Sequence, residues 1–235
     1  MKETKTKKLV LSAVLLALAT VLSLFKVYQL PLGGSITLLS MLPVCLLSIR
    51  YGVKWGLTCS FFYGVIQIAL SFGELMSWGM TAGTWVGCLL FDYLLAYGSL
   101  GVAGLFRKHG AGGITAGIGL AMVLRFISHF ISGTIFFAVF CPDGWNVVLY
   151  SICYNGSYML PEMAFTMLGA FALFRAPQTR SFVRCCLKRN MPRRRLVRFR
   201  AFLFPCLNKT KDFSAKALHG FKPEQIVHFT GSMLE

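Results

Sequence analysis

The sequence predicts an all-α polytopic membrane protein with six transmembrane helices and both termini cytoplasmic, and three observations lead there. The 235 residues are 56% hydrophobic and 14% charged, with a mean hydropathy of +0.65, far outside the composition of a soluble domain. Six apolar stretches follow one another, at about 9–25, 36–49, 53–72, 82–106, 113–140 and 146–174. The joints between them alternate in charge. Lys2, Lys5, Lys7 and Lys8, then Arg50 and Lys54, then Arg107 and Lys108, and finally Arg175 onward are basic, whereas the other joints carry only Lys26, Glu74 and Asp143. Because Lys and Arg are retained on the cytoplasmic side, the loops near 26–35, 73–81 and 141–145 lie outside.

Each segment has its own justification. The opening MKETKTKK and the apolar run behind it resemble a signal peptide, with Ala17-Leu18-Ala19 as a small-x-small site. The run continues to Phe25, so it reads as an uncleaved first helix. The second segment is short for a span of roughly 20 residues, which implies tilt, extension into the Gly-rich loop before it, or partial embedding. Gly83 and Gly87, then Gly98, Gly101 and Gly104, then Gly113 and Gly117 recur at helical spacing, as expected where helix backbones approach closely in lipid. Ala13 and Ala17 make the same small-residue pattern in the first helix.

The chain divides into a membrane domain, 1–177, and a basic tail, 178–235. Thirteen of the 24 Lys and Arg residues fall after Gln178, against three acids, so the net charge of +16 belongs mainly to the tail. No folded basic module that would take nucleic acid is visible. "CCLKRNMPRRRLVRFRAFLFP" reads either as an amphipathic stretch on the anionic lipid of the inner leaflet or as a disordered extension. The eight cysteines show no C-x-x-C and no Cys/His ligand spacing, so neither a metal site nor a disulfide framework is expected. Phosphate-binding loops and hydrolase motifs are absent too, so no catalytic residue is assigned and any work must be done by a partner.

Ionisable groups at bilayer depth cost roughly 2.5–3.5 kcal/mol each and mark functional sites by default. Four stand out: Asp92, Arg125, His129 and Glu162. Arg125, His129 and Gly133 step by four along one stripe of the fifth helix, which Ser132 and Phe137 extend. "YSICYNGSYMLPE" gathers Tyr150, Tyr154, Asn155, Tyr158 and Glu162, and "LLFDYLLAYG" adds Asp92, Tyr93 and Tyr97. With the orientation above, Tyr150, Asn155 and His129 lie in the outer half, around a pocket open to the outside. A carboxylate beside Tyr, Phe and His rings suits a flat, cationic, nitrogen-rich ligand. The structural reading of the same residues pairs Arg125 with Asp92 or Glu162 and makes His129 a helix-to-helix hydrogen bond.

"PLGGSITLLSMLPVCLLSIRYGVKWGL" (31–57), "LLFDYLLAYGSLGVAGLFR" (89–107), "LRFISHFISGTIFF" (124–137) and "YSICYNGSYMLPE" (150–162) together resemble the thiamin-specific substrate-binding subunit, or S-component, of energy-coupling factor transporters. The resemblance covers about 10–175. It implies a multi-pass protein of the cell membrane that captures thiamin from outside and docks on a transmembrane coupling protein and two ATPases. Asp92 and Tyr93, His129 and Gly133, Phe137, and Tyr150 and Asn155 fall on the family's ligand-binding positions. Arg125 falls on a basic position suited to the phosphates of phosphorylated thiamin. Ala13 and Ala17 fall on the patch that contacts the coupling protein. The resemblance also makes the outer loop "KVYQLPLGGS" a lid that differs between free and bound states, with Tyr28 its only aromatic residue and no Trp. Two alternatives remain at this level. One is a binder of a thiamin precursor or phosphate ester; the other is a self-sufficient secondary transporter with Asp92, Arg125 and Glu162 as a proton relay.

Overall fold

The structure, a computed structural model, describes residues 4–175. The basic tail 178–235 lies outside the described residues. Helix α1 (Lys5–Leu24) starts at Thr4, whose hydroxyl accepts from the Lys7 amide. A short antiparallel hairpin of β1 (Lys26–Gln29) and β2 (Ser35–Thr37) follows. The all-α expectation needs this amendment. Val27, Tyr28, Ile36 and Thr37 favour extended backbone, and the Pro31–Gly33 turn between the strands holds Leu32 and Gly33 at positive φ.

Next come α2 (Met41–Tyr51), α3 (Val53–Ser77), α4 (Ala82–Cys88), a π-helical stretch Leu89–Leu95, the single turn α5 (Ala96–Gly98) and a 3₁₀ stretch Ser99–Gly104. Helices α6 (Gly110–Ile135) and α7 (Val147–Arg175) complete the described chain. Lys5–Leu24, Val53–Ser77, the run Ala82–Ile135 and Val147–Phe174 are long and apolar enough to cross a membrane. Leu9, Val14, Val21, Phe61, Phe62 and Leu168 stay exposed on their faces, as lipid contact requires.

Hydrogen bonds between helices give their relative directions. Trp55 Nε1 donates to Ser12 Oγ, Tyr63 OH to the Ala19 carbonyl and Gln67 Nε2 to Ser23 Oγ, so α1 and α3 run parallel. Ser99 Oγ donates to the Ala121 carbonyl and Ser128 Oγ to that of Phe91, so the run Ala82–Ile135 doubles back on itself near Gly110, where φ is +78°. Ser151 Oγ donates to the Phe130 carbonyl, and Asn155 Nδ2 to that of His129, which sets α7 antiparallel to α6.

The short helix α2 is buried almost all round. Its 11 residues form the centre of the bundle, with Val44, Cys45 and Ile49 against Leu100, Ile114, Ile118 and Met122. Ser48 Oγ donates to the Gly101 carbonyl and accepts from the Gly104 amide at 2.9 Å. A Cβ on Gly101 would collide with the Leu57 backbone and one on Gly104 with Ser48, so those two glycines do serve close approach. Gly83 and Gly98 face open space instead, and for them the packing expectation fails.

Ala13 and Ala17 are exposed on the face of α1 opposite its buried Ser12, Ala19 and Ser23. The basic joints, Lys5 to Lys8, Arg50 with Lys54, and Arg107 with Lys108, all sit at the ends of helices remote from the hairpin.

Candidate functional site

At the hairpin end of the bundle lies a cavity with about 130 Å³ of space open to water. Its walls come from the last turn of α1, the hairpin, the start of α2, the second half of α3, the π-helical stretch, the second half of α6 and the first half of α7. All eight residues expected to touch a ligand line it: Asp92, Tyr93, Arg125, His129, Gly133, Phe137, Tyr150 and Asn155. Phe137 does so from beyond the helix, because α6 ends at Ile135 and not, as the apolar run suggests, near 140.

Asp92 and Tyr93 stand in the π-helical stretch Leu89–Leu95. Such a stretch shifts side chains relative to an α-helix at the expense of weaker backbone bonding, and it recurs at functional sites. Asp92 Oδ2 accepts from Ser132 Oγ at 2.5 Å, and His129 Nδ1 donates to Asp92 Oδ1 at 2.8 Å. The imidazole is thereby oriented. Its Nε2 is buried and has no partner among the described residues, a polar atom whose desolvation is left for a ligand to offset.

Deeper, Arg125 and Glu162 are 4% and 1% exposed and lie 3.4 Å apart. Thr37 Oγ1 donates to Glu162 Oε1 at 2.5 Å, which leaves Ser40 Oγ, 2.6 Å away, as donor to Thr37. Arg125 also donates to Met41 Sδ and lies over the Tyr97 ring at 4.6 Å. The four intramembrane ionisable groups thus form two separate pairs, Asp92 with His129 and Arg125 with Glu162. Of the two partners the sequence allowed for Arg125, the structure takes Glu162.

Gly133 and Asn155 have a shared packing role. A Cβ on Gly133 would run into Ser151 Oγ and stand 3.1 Å from Asn155 Nδ2, so the missing side chain lets α7 lie close to α6. Asn155 Nδ2 donates to the Ser151 carbonyl at 2.9 Å, and its Oδ1 accepts from Tyr158 OH at 2.9 Å. The hairpin is fastened on two sides, at its turn by Tyr154 and at β1 by Glu74. Tyr154 OH donates to the Pro31 carbonyl and accepts from the Gly34 amide at 3.2 Å. Glu74 meets Lys26 at 3.9 Å and Gln29 Nε2 at 3.4 Å.

The polar lining holds three carboxylates, Glu74, Asp92 and Glu162, against two fixed cations, Lys26 and Arg125. Among these fixed charges one carboxylate is in excess, beside the rings of Tyr93, Phe137, Tyr150 and Tyr154, which is an environment for a monocation. Sequence reasoning overlooked Glu74 and Trp78, which also line the cavity. The apolar run fades at residue 72, yet α3 continues to Ser77 and carries both residues to the rim. Tyr28, the only aromatic residue of the hairpin, is exposed and is not part of the lining.

Comparison with known proteins follows the same line. The sequence family described as thiamine transporter protein (Thia_YuaJ) matches residues 9–181. The thiamine transporter ThiT of Bacillus subtilis strain 168 is 32% identical over 181 residues, which is 71% of this chain and 90% of that protein. ThiT of Lacticaseibacillus paracasei is 26% identical over 153 residues, covering 59% of this chain and 73% of its own. A solved structure of ThiT from Listeria monocytogenes, 20% identical, superposes with a TM-score of 0.61 over 75% of this chain and 98% of that one, a likeness of fold.

Proposed function

The chain belongs to the thiamine transporter protein family, a family of transport proteins and not of enzymes, and on that premise we propose that it is the thiamin-binding subunit of an ATP-driven uptake system. The observation that carries this reading is the excess carboxylate among aromatic rings, with the unpartnered His129 Nε2 close by. Thiamin offers a thiazolium cation to the first and the amino N–H of its aminopyrimidine to the second. Asp92 and His129 supply polar recognition, while Tyr93, Phe137 and Tyr150 supply ring faces. Gly133 and Asn155 hold α7 where Tyr150 reaches the cavity. Arg125, paired with Glu162, braces the floor, and that pairing argues against its attracting a phosphate.

In this reading the chain crosses six times, with both termini inside and the cavity mouth outside; the gathering of the basic joints at the end of the bundle remote from the cavity supports it. The hairpin turn then serves as a lid, released when Tyr154 and Glu74 let go. Nothing in the cavity hydrolyses ATP, so delivery falls to a transmembrane coupling protein and two ATPases, with the exposed Ala13 and Ala17 as the contact on this chain.

The experiment is uptake into proteoliposomes. The chain alone should bind thiamin but not accumulate it under a proton gradient, and accumulation should require the ATPase module. Proton-driven accumulation by the chain alone would overturn the reading in favour of secondary transport. Tighter binding of the pyrimidine precursor or of a phosphate ester than of thiamin would overturn the ligand.

A further inference from the structure

We propose that Trp78 is the aromatic face that covers the cationic ring of the ligand, a specificity-determining residue contributed by the end of α3. The inference rests on the thiamin reading above and adds to it the cover that the outer loop's own side chains do not provide.

Trp78 ends α3 and is followed by Gly79 at φ +60°, a left-handed stop that turns the chain away and fixes where the indole starts. The indole lines the cavity and meets the hairpin turn from one side: its six-membered ring lies 2.8 Å from where a Cβ on Gly33 would stand. Gly33, at φ +85°, therefore leaves room for that ring as well as making the turn. From the other side Trp78 meets Phe137 edge to face, with centroids 5.9 Å apart and planes at 76°. Phe137 follows the end of α6, and the π-helical stretch bearing Asp92 and Tyr93 packs against both α3 and α6. Trp78 and Phe137 thus bridge two helices across the rim of the cavity that holds the excess carboxylate. Indole is the strongest of the aromatic faces toward a cation, and a rim position lets it close on a ligand already paired below. A purely structural tryptophan would be indifferent to the charge of the bound ring.

The test uses the full chain in detergent, titrated with thiamin and with a neutral analogue in which a thiophene replaces the thiazolium, by calorimetry and by intrinsic fluorescence. Trp78→Ala should weaken thiamin about tenfold or more, each tenfold being about 1.4 kcal/mol, and weaken the neutral analogue several-fold less. Trp78→Phe, which keeps the packing against Gly33 and Phe137, should bind with intermediate affinity and lose most of the fluorescence response to thiamin. Trp145→Phe, altering an exposed residue outside the cavity, should keep that response. The inference is overturned if Trp78→Ala binds thiamin within twofold of the unaltered chain, if both ligands lose the same factor, or if Trp78→Phe keeps the full response. Failure of the unaltered chain to bind thiamin at all would instead overturn the reading of the site on which the inference rests.

Discussion

Replacing Glu162 by Gln separates a structural ion pair from a proton relay. The side chain is 1% exposed, accepts from Thr37 at 2.5 Å and pairs with Arg125 at 3.4 Å. Glutamine keeps an acceptor for Thr37 but turns an N–H donor toward the guanidinium, and it removes the negative charge. Arg125 is itself 4% exposed, and the other carboxylate at this depth, Asp92, is engaged by His129 and Ser132. Breaking one side of a buried pair costs about 3–5 kcal/mol, whereas replacing both sides by well-packed apolar groups is often neutral. Glu162→Gln should therefore shift the unfolding equilibrium by a factor of about 100 or more. The double variant Arg125→Met/Glu162→Leu should recover most of that loss. Chemical unfolding in detergent, followed by tryptophan fluorescence, measures both. A Glu162→Gln chain within about 0.5 kcal/mol of the unaltered one, or a double variant less stable than the single, would refute the reasoning. A chain that folds normally but fails only in proton-driven uptake would point to the relay.

Gly133→Ala should push α7 away from α6, costing about 1–3 kcal/mol of stability and weakening thiamin through displaced Tyr150, as calorimetry on the folded fraction would show. Tyr154→Phe removes the donor to Pro31 and the acceptor for Gly34, worth about 1 kcal/mol each, so thiamin should dissociate several-fold faster in stopped-flow measurements. Ala13→Leu with Ala17→Leu should leave thiamin binding unchanged, since both positions face away from the bundle, yet abolish ATP-driven uptake with the coupling partners.

The ionisable residues were legible in the sequence because a charge at bilayer depth is costly enough to need a partner or a polar cavity, and all four line one cavity. Their pairing was not legible, because Asp92 and Glu162 are both acids and helical spacing alone does not say which faces Arg125. The hairpin was missed because strands of three and four residues carry little pattern between two apolar runs. The π-helical stretch left no mark in the residue types either, since Leu89–Leu95 reads by composition as a continuation of the α-helix before it. Trp78 and Glu74 escaped because a helix that leaves the hydrocarbon turns polar before it ends, and hydropathy then reads its last turn as loop.

Thiamin titration of the unaltered chain beside Asp92→Asn and His129→Ala tests the central claim most directly. Tight binding by the unaltered chain is expected, weakened at least tenfold by each change, with melting temperatures that show all three folded. Thiamin binding that both variants retain at full strength would contradict the claim, because the cation would then be held without the carboxylate and imidazole that define the site.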